Sequence, residues 1–221
     1  MKELIRVITT SDGSHTIYVP ELDEHFHSIH GAVQESAHIF IKNGFDHCRA
    51  DPIHIFEVGF GTGLNALLTA VSCINGEREV FYTTVEKYPL DEKITRSLNY
   101  HLYAGKNGKN IFSLIHSAEW GQMHKICRNF NFRKIKCDLI TDLVTGTYDL
   151  IYFDAFGPDK QAEMWTKEIF EKIKVITLTD SLFVTYSAKG EVKRKLRAAG
   201  FNVSLIPGPP GKRQMIRAIK I

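Results

Sequence analysis

The stretch Ile55-Phe-Glu-Val-Gly-Phe-Gly-Thr-Gly-Leu-Asn-Ala-Leu-Leu68 decides the fold of this chain. An apolar run breaks into three alternating glycines and then continues with helical spacing, which predicts a strand, a tight turn and a helix. Gly59, Gly61 and Gly63 carry no Cβ and tolerate positive φ, so a ligand can lie directly on their backbone. The helix that begins near Leu64 adds free N–H groups and a positive dipole end at the same place.

The acidic residues near this loop indicate which ligand it binds. Pyrophosphate-binding loops have the spacing G-x-G-x-x-G, whereas this chain has G-F-G-T-G-L-N, with Glu57 inside the end of the strand. These features favour S-adenosylmethionine, a cation without phosphate, over a nicotinamide dinucleotide. Glu86 ends the next predicted strand, where a carboxylate accepts hydrogen bonds from ribose hydroxyls. Both cofactors contain a ribose, so Glu86 does not separate them.

The rest of the chain alternates strands and helices. Strands are predicted near 53–59, 80–85, 111–115, 149–153, 181–186, 201–206 and 214–219, and helices near 64–74, 90–101, 119–130, 163–174 and 189–199. Alternation of this kind predicts an α/β fold with a mostly parallel sheet between helices. The linker Pro207–Gly211 is too short for a crossover, so the last two strands are expected to pair antiparallel.

This architecture is that of the class I S-adenosylmethionine-dependent methyltransferases, with a Rossmann-like doubly wound sheet and an antiparallel last strand. Residues 1–30 predict a small β-hairpin and residues 31–43 a helix. We therefore expect one domain over 1–221, made of an N-terminal extension (1–50) and a Rossmann-like core (51–221).

Composition narrows the class of protein. The chain has 221 residues, a net charge of +3 and no run of eighteen apolar residues, so we expect neither a membrane span nor a secretory leader. Four cysteines without C-x-x-C spacing indicate reduced thiols, so we expect a cytoplasmic protein. The C-terminal third is basic, with Lys189, Lys193, Arg194, Lys195, Arg197, Lys212, Arg213 and Arg217. This pattern fits either a phosphate-binding surface or a solvated helix face.

Asp154 is the candidate catalytic residue. It follows the buried strand Leu150–Phe153, and ligands of open α/β sheets bind at the carboxyl ends of the strands. The Ala-Phe-Gly-Pro sequence after it cannot continue the strand and turns the chain over the same crevice. An ordinary turn would have a similar sequence, but the position at the end of the fourth strand favours a functional role.

Four separated blocks resemble one known family: F-E-V-G-F-G-T-G-L-N, T-V-E-K-Y-P-L, F-D-A-F-G-P-D-K-Q-A-E-M-W-T and G-K-R-Q-M. The chain is similar, from about residue 10 to its end, to the methyltransferase module of MnmC, known alone as MnmD. The resemblance implies methylation of 5-aminomethyl-(2-thio)uridine to 5-methylaminomethyl-(2-thio)uridine at the wobble position of tRNA. Two-domain members continue into an FAD-dependent oxidase. Because the sequence ends at Ile221, we expect the methylating half alone.

The resemblance also implies a cofactor site and two departures from the family. The implied cofactor residues are Glu57, Gly59, Phe60, Gly61, Thr62, Gly63, Leu64, Asn65, Glu86, Lys87, Ser117, Ala118 and Asp154. The family has a Gly-Asp pair after the third strand, whose Asp holds the adenine amino group. Ser117 stands at that position here and would accept the hydrogen bond more weakly. The segment Arg133–Thr147 is longer than expected and is interpreted as an added hairpin.

The resemblance further implies a substrate site for the anticodon stem-loop of tRNA. Asp154 would orient the reacting amine and take its proton. The implied substrate-binding residues are Phe156, Pro158, Lys160, Tyr186, Lys189, Arg194, Lys212 and Arg213. Phe156, Tyr186 and Trp165 are candidates for stacking on uracil, and plain core packing is the alternative for each.

Three other functions stay open. An aminopropyltransferase like spermidine synthase also acts on an amine, uses an acidic residue and has a related fold. It would need an acidic groove for its polyamine substrate, whereas the C-terminal third of this sequence is basic. A non-catalytic RNA-binding protein would have no use for Glu57, Glu86 and Asp154. A metal site is suggested only by His25-x-His27-x-x-His30, without a supporting carboxylate or cysteine, so we expect no metal.

Overall fold

An eight-stranded mixed sheet forms the centre of the computed structural model, which describes residues 5–74 and 76–221. Its strand order is β10-β11-β9-β8-β4-β5-β7-β6. The strands are β4 (Ile53–Val58), β5 (Val80–Glu86), β6 (His124–Cys127), β7 (Phe130–Lys136), β8 (Tyr148–Phe153), β9 (Thr177–Thr185), β10 (Phe201–Pro207) and β11 (Gln214–Lys220). The five strands from β9 to β7 are parallel, whereas β11 and β6 run antiparallel to their neighbours. The class I methyltransferase architecture and its antiparallel last strand are confirmed.

Helices cover both faces of this sheet. They are α2 (Leu64–Cys73), α3 (Glu92–Arg96), α4 (Gly108–Ser117), α5 (Lys167–Ile176) and α6 (Gly190–Ala198), with short 3₁₀ turns at Tyr100–Tyr103 and Ala162–Trp165. The buried side chains of α2 and α4 belong to one apolar cluster, and those of α5 and α6 belong to a second. Two separate clusters are what a sheet buried on both faces requires. Within the described residues, no helix is long and apolar enough to cross a membrane.

The N-terminal extension packs onto the first cluster. Strands β1 (Arg6–Thr9), β2 (His15–Val19) and β3 (Glu24–His25) form a small antiparallel sheet, and α1 (Ala32–Ser36) continues as a π-helical segment, Ala37–Phe45. The predicted hairpin and helix are thus confirmed, except that residues 1–4 lie outside the described residues. Ile17, Ala32 and Phe40 are almost fully buried together with side chains of the core. The extension therefore shares its apolar core with the Rossmann-like part of the chain.

Two predicted elements are wrong. Residues 111–115 form the middle of helix α4, and residues 119–130 contain strand β6 rather than a helix. Gly108, Ile111, Phe112 and Ile115 are the buried positions of α4, and their spacing is that of a helix face. A short apolar run such as Ile111–Ile115 fits a strand and a buried helix equally well when it is taken alone.

The third parallel strand is β7, which the sequence pattern did not reveal. Phe130, Phe132 and Lys134 alternate as its buried positions, and a lysine at the third of them interrupts the apolar alternation. The Lys134 ammonium donates to the carbonyl oxygens of Ile115 (3.2 Å) and His116 (2.5 Å) at the end of α4. These hydrogen bonds satisfy the last carbonyls of a helix and explain the buried cation. The segment Arg133–Thr147, which the sequence analysis interprets as an added hairpin, begins within this core strand.

The strand order reverses between β4 and β8, which lie side by side in parallel. At such a point the connections leave the sheet in opposite directions, and a crevice opens at the carboxyl ends of the strands. The glycine loop follows β4 and Asp154 follows β8. The fold thus places the two most distinctive sequence features at one crevice.

Candidate active site

A cavity of about 550 Å³ lies at the carboxyl ends of β4, β5, β7 and β8. The residues that follow each of these strands line the cavity, and residues of the N-terminal extension form another part of its wall. The lining includes 59–62, 86–88, 137–140, 154–157 and 24–29, together with Glu35, Tyr186 and Lys212. Its size and enclosure are those of a small-molecule site. We call it the inner cavity.

The glycine loop has no space for a side chain at its first glycine. Gly59, Gly61 and Gly63 have φ values of 89°, 49° and 76°, in the left-handed region that favours glycine. A Cβ on Gly59 would lie 2.7 Å from the carbonyl oxygen of Asp154, and one on Gly61 would lie 3.0 Å from the ring of Phe26. The loop therefore lies between the strand β8 turn and the extension.

Thr62 fixes the loop from two sides. Its hydroxyl shares a 2.7 Å hydrogen bond with Nε2 of His27 from the extension. Its carbonyl lies 3.2 Å from Nε2 of His116 on α4. Burial lowers the pKa of each of these two histidines to about 4, so both rings are neutral at physiological pH. Across the described residues, no group of three or more potential metal ligands comes together.

Glu86 faces the loop from the end of β5. Its two carboxylate oxygens accept hydrogen bonds from the backbone N–H groups of Gly61 (3.0 Å) and Tyr88 (2.8 Å). Burial raises the pKa of this carboxyl above its ordinary value. Each oxygen has a second lone pair, so both can still accept a ligand hydroxyl.

Asn65 connects the two deepest carboxyls. Its side-chain amide donates to Oε1 of Glu57 (3.0 Å) and to Oδ2 of Asp154 (2.8 Å). Burial raises the pKa of Glu57 to about 8 and that of Asp154 to about 7. Asp154 lines the cavity, whereas Glu57 is completely buried and lies behind Asn65. The sequence predicted Glu57 and Asn65 as cofactor contacts, and the structure places both behind the cavity wall.

Glu35 is a site residue that the sequence analysis missed. Its carboxylate is almost fully buried, accepts the N–H of Ser28 at 2.8 Å and pairs with the Lys212 ammonium. That ammonium also lies 4.1 Å from the centre of the Tyr186 ring. The available signal was spacing: Glu35 falls on the buried stripe of α1 with Ala32 and Ser36, where an unpaired acid would be costly.

Ser117 does not lie at the inner cavity. It ends helix α4, is exposed, and its hydroxyl donates to the carbonyl of Leu114. The assignment depended on a strand at 111–115 that does not exist. The residues after the true third strand are 137–140, and Asp138 among them lines the cavity. Asp138 pairs with Lys87 at 2.8 Å, and that lysine holds the pKa of the carboxyl below its usual value.

The other predicted cofactor residues separate into two groups. Phe60, Thr62 and Lys87 line the inner cavity with Gly59, Gly61 and Glu86. Gly63, Leu64 and Ala118 do not line it.

A second, more open cavity of about 450 Å³ adjoins the first; we call it the outer cavity. Pro158, Lys189 and Arg213 line it, and Lys160, Tyr186 and Lys212 line both cavities. Phe156 lines the inner cavity, where its ring meets that of Phe26 edge-on at 4.9 Å.

Two of the remaining predicted residues lie away from both cavities. Arg194 is on the exposed side of α6. Trp165 is 1% exposed, lies in the second apolar cluster and donates to the Phe156 carbonyl at 2.7 Å. For Trp165 the core-packing alternative therefore fits the structure.

Comparison with known proteins places this geometry in a family. Residues 116–221 match the family of S-adenosyl-L-methionine-dependent methyltransferases. A protein of Cupriavidus metallidurans named "tRNA 5-methylaminomethyl-2-thiouridine biosynthesis bifunctional protein MnmC" is 30% identical over 226 residues, covering 94% of this chain and 33% of that protein. The protein of the same name from Campylobacter hominis is 31% identical, over 74% of this chain and 25% of its own length. The chain thus spans about a third or less of these relatives.

Two solved structures share the fold. MnmC2 from Aquifex aeolicus has a TM-score of 0.78 and 23% identity, over 98% of this chain and 70% of that one. Spermidine synthase from Thermotoga maritima has a TM-score of 0.57 and 14% identity, over 97% and 72%. The first likeness is much the stronger of the two. With a glycine loop, the carboxyl of Glu86 and the half-buried Asp154 around one cavity, the chain belongs to the S-adenosyl-L-methionine-dependent methyltransferases and is similar to the MnmC proteins.

Proposed function

We propose that this protein transfers a methyl group from S-adenosylmethionine to the primary amine of 5-aminomethyl-(2-thio)uridine at the wobble position of tRNA. The observation that carries the proposal is the placement of Asp154. It lies at the strand reversal, on the wall of an enclosed cavity, against the glycine loop. The substrate, and the anticodon stem-loop as its partner, are inferred from the resemblance to MnmC proteins. We place the protein in the cytoplasm, where it would encounter tRNA.

The inner cavity offers a place for each part of the cofactor. Glu86 is positioned for the ribose hydroxyls and the glycine loop for close backbone contact. Asp138 follows the third parallel strand, where the family's aspartate holds the adenine amino group. The sulfonium is a cation, and the ionised form of the Asp154 carboxyl, which lines the cavity, would favour a positive charge nearby.

The reaction needs an amine with a free lone pair. The nitrogen forms its bond to the methyl carbon as the carbon–sulfur bond breaks, which leaves a neutral thioether and a secondary ammonium that can then lose a proton. A primary ammonium has a pKa near 10.4 and cannot attack until it is deprotonated. Because burial raises the pKa of Asp154 to about 7, this carboxyl accepts a proton more readily than an exposed aspartate does. Its second task is alignment of donor and acceptor.

Contacts with the tRNA backbone would use the cations that have no acidic partner. Lys189, Lys160 and Lys212 are paired with Asp159, Asp23 and Glu35. Arg194 and Arg213 are exposed, and neither forms an ion pair within the described part of the chain. We therefore assign the phosphate contacts to these two arginines before the lysines.

Replacing Gly59 should weaken cofactor binding. In Gly59→Ala, a Cβ would meet the Asp154 carbonyl at 2.7 Å and push the loop away, so S-adenosylmethionine affinity should fall at least about tenfold by calorimetry. Gly121→Ala is the matched control, because Gly121 has a similar φ of 83° but no atom within 4 Å of its Cβ position. Equal affinities in the two variants would show that this close approach does not matter for binding.

Asp138, and not Ser117, should support adenine binding. Loss of one charge-assisted hydrogen bond in Asp138→Ala should weaken S-adenosylmethionine binding about 10-fold. Ser117→Ala should bind like the wild type because its hydroxyl is exposed on α4. Calorimetry on both variants decides the matter, and the reverse order of affinities would restore the sequence-based assignment.

Asp154 should control the rate of methyl transfer and its pH dependence. With an anticodon stem-loop that carries 5-aminomethyluridine, Asp154→Ala should be on the order of 100-fold slower while S-adenosylmethionine binding changes little. The wild-type rate should increase as the pH rises through about 7, where Asp154 becomes a carboxylate, and Asp154→Asn should lose this step.

Asp46→Asn makes the same charge change at an exposed site and is the control. Wild-type rates in both Asp154 variants would exclude this residue from the active site. Nucleoside mass spectrometry must show one added methyl group. Transfer of an aminopropyl group from decarboxylated S-adenosylmethionine would instead identify an aminopropyltransferase, and binding without any transfer a non-catalytic protein.

The two free arginines should set the salt dependence of tRNA binding. Arg194→Ala and Arg213→Ala should each reduce the slope of log affinity against log salt concentration by about 1. Arg128→Ala removes the same charge beside β6, at the opposite edge of the sheet from β10 and β11, and should leave the slope unchanged. Equal slopes in all three variants would make the basic C-terminal surface a solvated one.

A further inference from the structure

The inner and outer cavities adjoin at a set of residues that line both, which we call the neck. Its members are the residues that line both cavities: Glu24, Gly157, Lys160, Tyr186 and Lys212. The inner side of the neck leads to Asp154, and the outer side leads to Pro158, Lys189 and Arg213. A nucleotide that enters from the basic surface must pass the neck to bring its amine to Asp154.

Both cations of the neck already have acidic partners. Lys212 pairs with Glu35, and Lys160 lies 3.4 Å from Asp23. Glu24 is different. Its Oε1 accepts the N–H of the next residue, His25, at 2.9 Å, and it forms no ion pair with any described residue. Its Oε2 points toward the turn after Asp154, 3.8 Å from the position of a Cβ on Gly157. The neck therefore has one carboxylate whose charge is not balanced.

Tyr186 does not supply the missing donor. Its hydroxyl donates to the carbonyl oxygen of Ala155 at 2.8 Å. Burial, and then the negative charges of Asp154, Glu35 and Glu24, raise the pKa of this hydroxyl well above its ordinary value. Three carboxyl groups thus surround one neutral ring, with Lys212 as the cation above it. Lys212 is already paired with Glu35, and a further primary ammonium would bring Glu24 the positive charge and the hydrogen-bond donors that it lacks.

The backbone holds Glu24 in place. It belongs to β3 and pairs with Val19 of β2. Two residues further on, Phe26 packs against Phe156 of the turn that follows β8. The carboxylate is therefore presented by an ordered strand that is fixed to the catalytic turn, not by a free loop.

We propose that Glu24 binds the ammonium group of the incoming 5-aminomethyluridine at the neck and so selects a cationic side chain on the base. This role rests on the proposed function. Asp154 then binds the same nitrogen on the inner side of the neck, in the inner cavity. A uridine with a neutral substituent of the same size would gain nothing from Glu24, because it brings no charge to the neck.

The test uses the full chain and two anticodon stem-loops, one with 5-aminomethyluridine and one with the neutral 5-hydroxymethyluridine. In Glu24→Gln, kcat/KM for the aminomethyl RNA should fall about 10- to 100-fold, the effect of losing one charge-assisted hydrogen bond. The inhibition constant of the hydroxymethyl RNA and the affinity for S-adenosylmethionine should stay within about twofold of the wild type. Glu24→Asp should recover part of the loss. Glu21→Gln, an exposed acid that lines neither cavity, is the control and should behave as the wild type.

Two results overturn the inference in different ways. If the wild type methylates the aminomethyl RNA and Glu24→Gln does so equally well, Glu24 does not bind the amine. If Glu24→Gln weakens both RNAs equally, its role is structural and not one of charge selection. Absence of methyl transfer by the wild type itself would instead remove the proposed substrate, and the role of Glu24 with it.

Discussion

The close approach of two chain segments at the carboxyl ends of β4 and β8 is the constraint on which the site depends. Gly59 and the Asp154 carbonyl are so near that a single Cβ cannot fit between them. This contact brings the cofactor loop and the candidate catalytic acid together without any intervening side chain. A parallel sheet with a reversal of strand order supplies the crevice, and the absence of a side chain sets its width.

The buried carboxyls of the site are balanced through hydrogen bonds and one lysine rather than through simple ion pairs. Asn65 donates to Glu57 and Asp154, while Lys212 is held between Glu35 and the face of Tyr186. Each carboxyl loses hydration on burial, which favours its neutral form. A cation bound in the cavity would favour the ionised forms again, so the site is suited to a positively charged donor such as S-adenosylmethionine, which carries this charge at its sulfur.

Sequence reasoning succeeded where a local pattern and its position at the end of a strand agreed. Alternating glycines after an apolar run, and an aspartate after a buried strand, predicted Gly59 and Asp154 at one crevice, and the fold places them there. It failed at α4 because the apolar run Ile111–Ile115 fits the residue spacing of a strand as well as that of a buried helix. It failed at β7 because the buried Lys134 interrupts the apolar alternation of that strand. The prediction of Ser117 as the adenine contact followed from this misplaced third strand. Glu35 and Glu24 were missed because their roles arise from tertiary contacts between the extension and the core.

The hydrogen bond between His27 and Thr62 and the contact of Phe26 with Gly61 join the extension to the cofactor loop. A loop held by a separate sheet cannot settle into its binding conformation unless that sheet is folded. Ligand binding and folding of the extension are then linked equilibria, and each stabilises the other by the same free energy. Folding of the first fifty residues is therefore thermodynamically coupled to the shape of the inner cavity, although only a few of them line it.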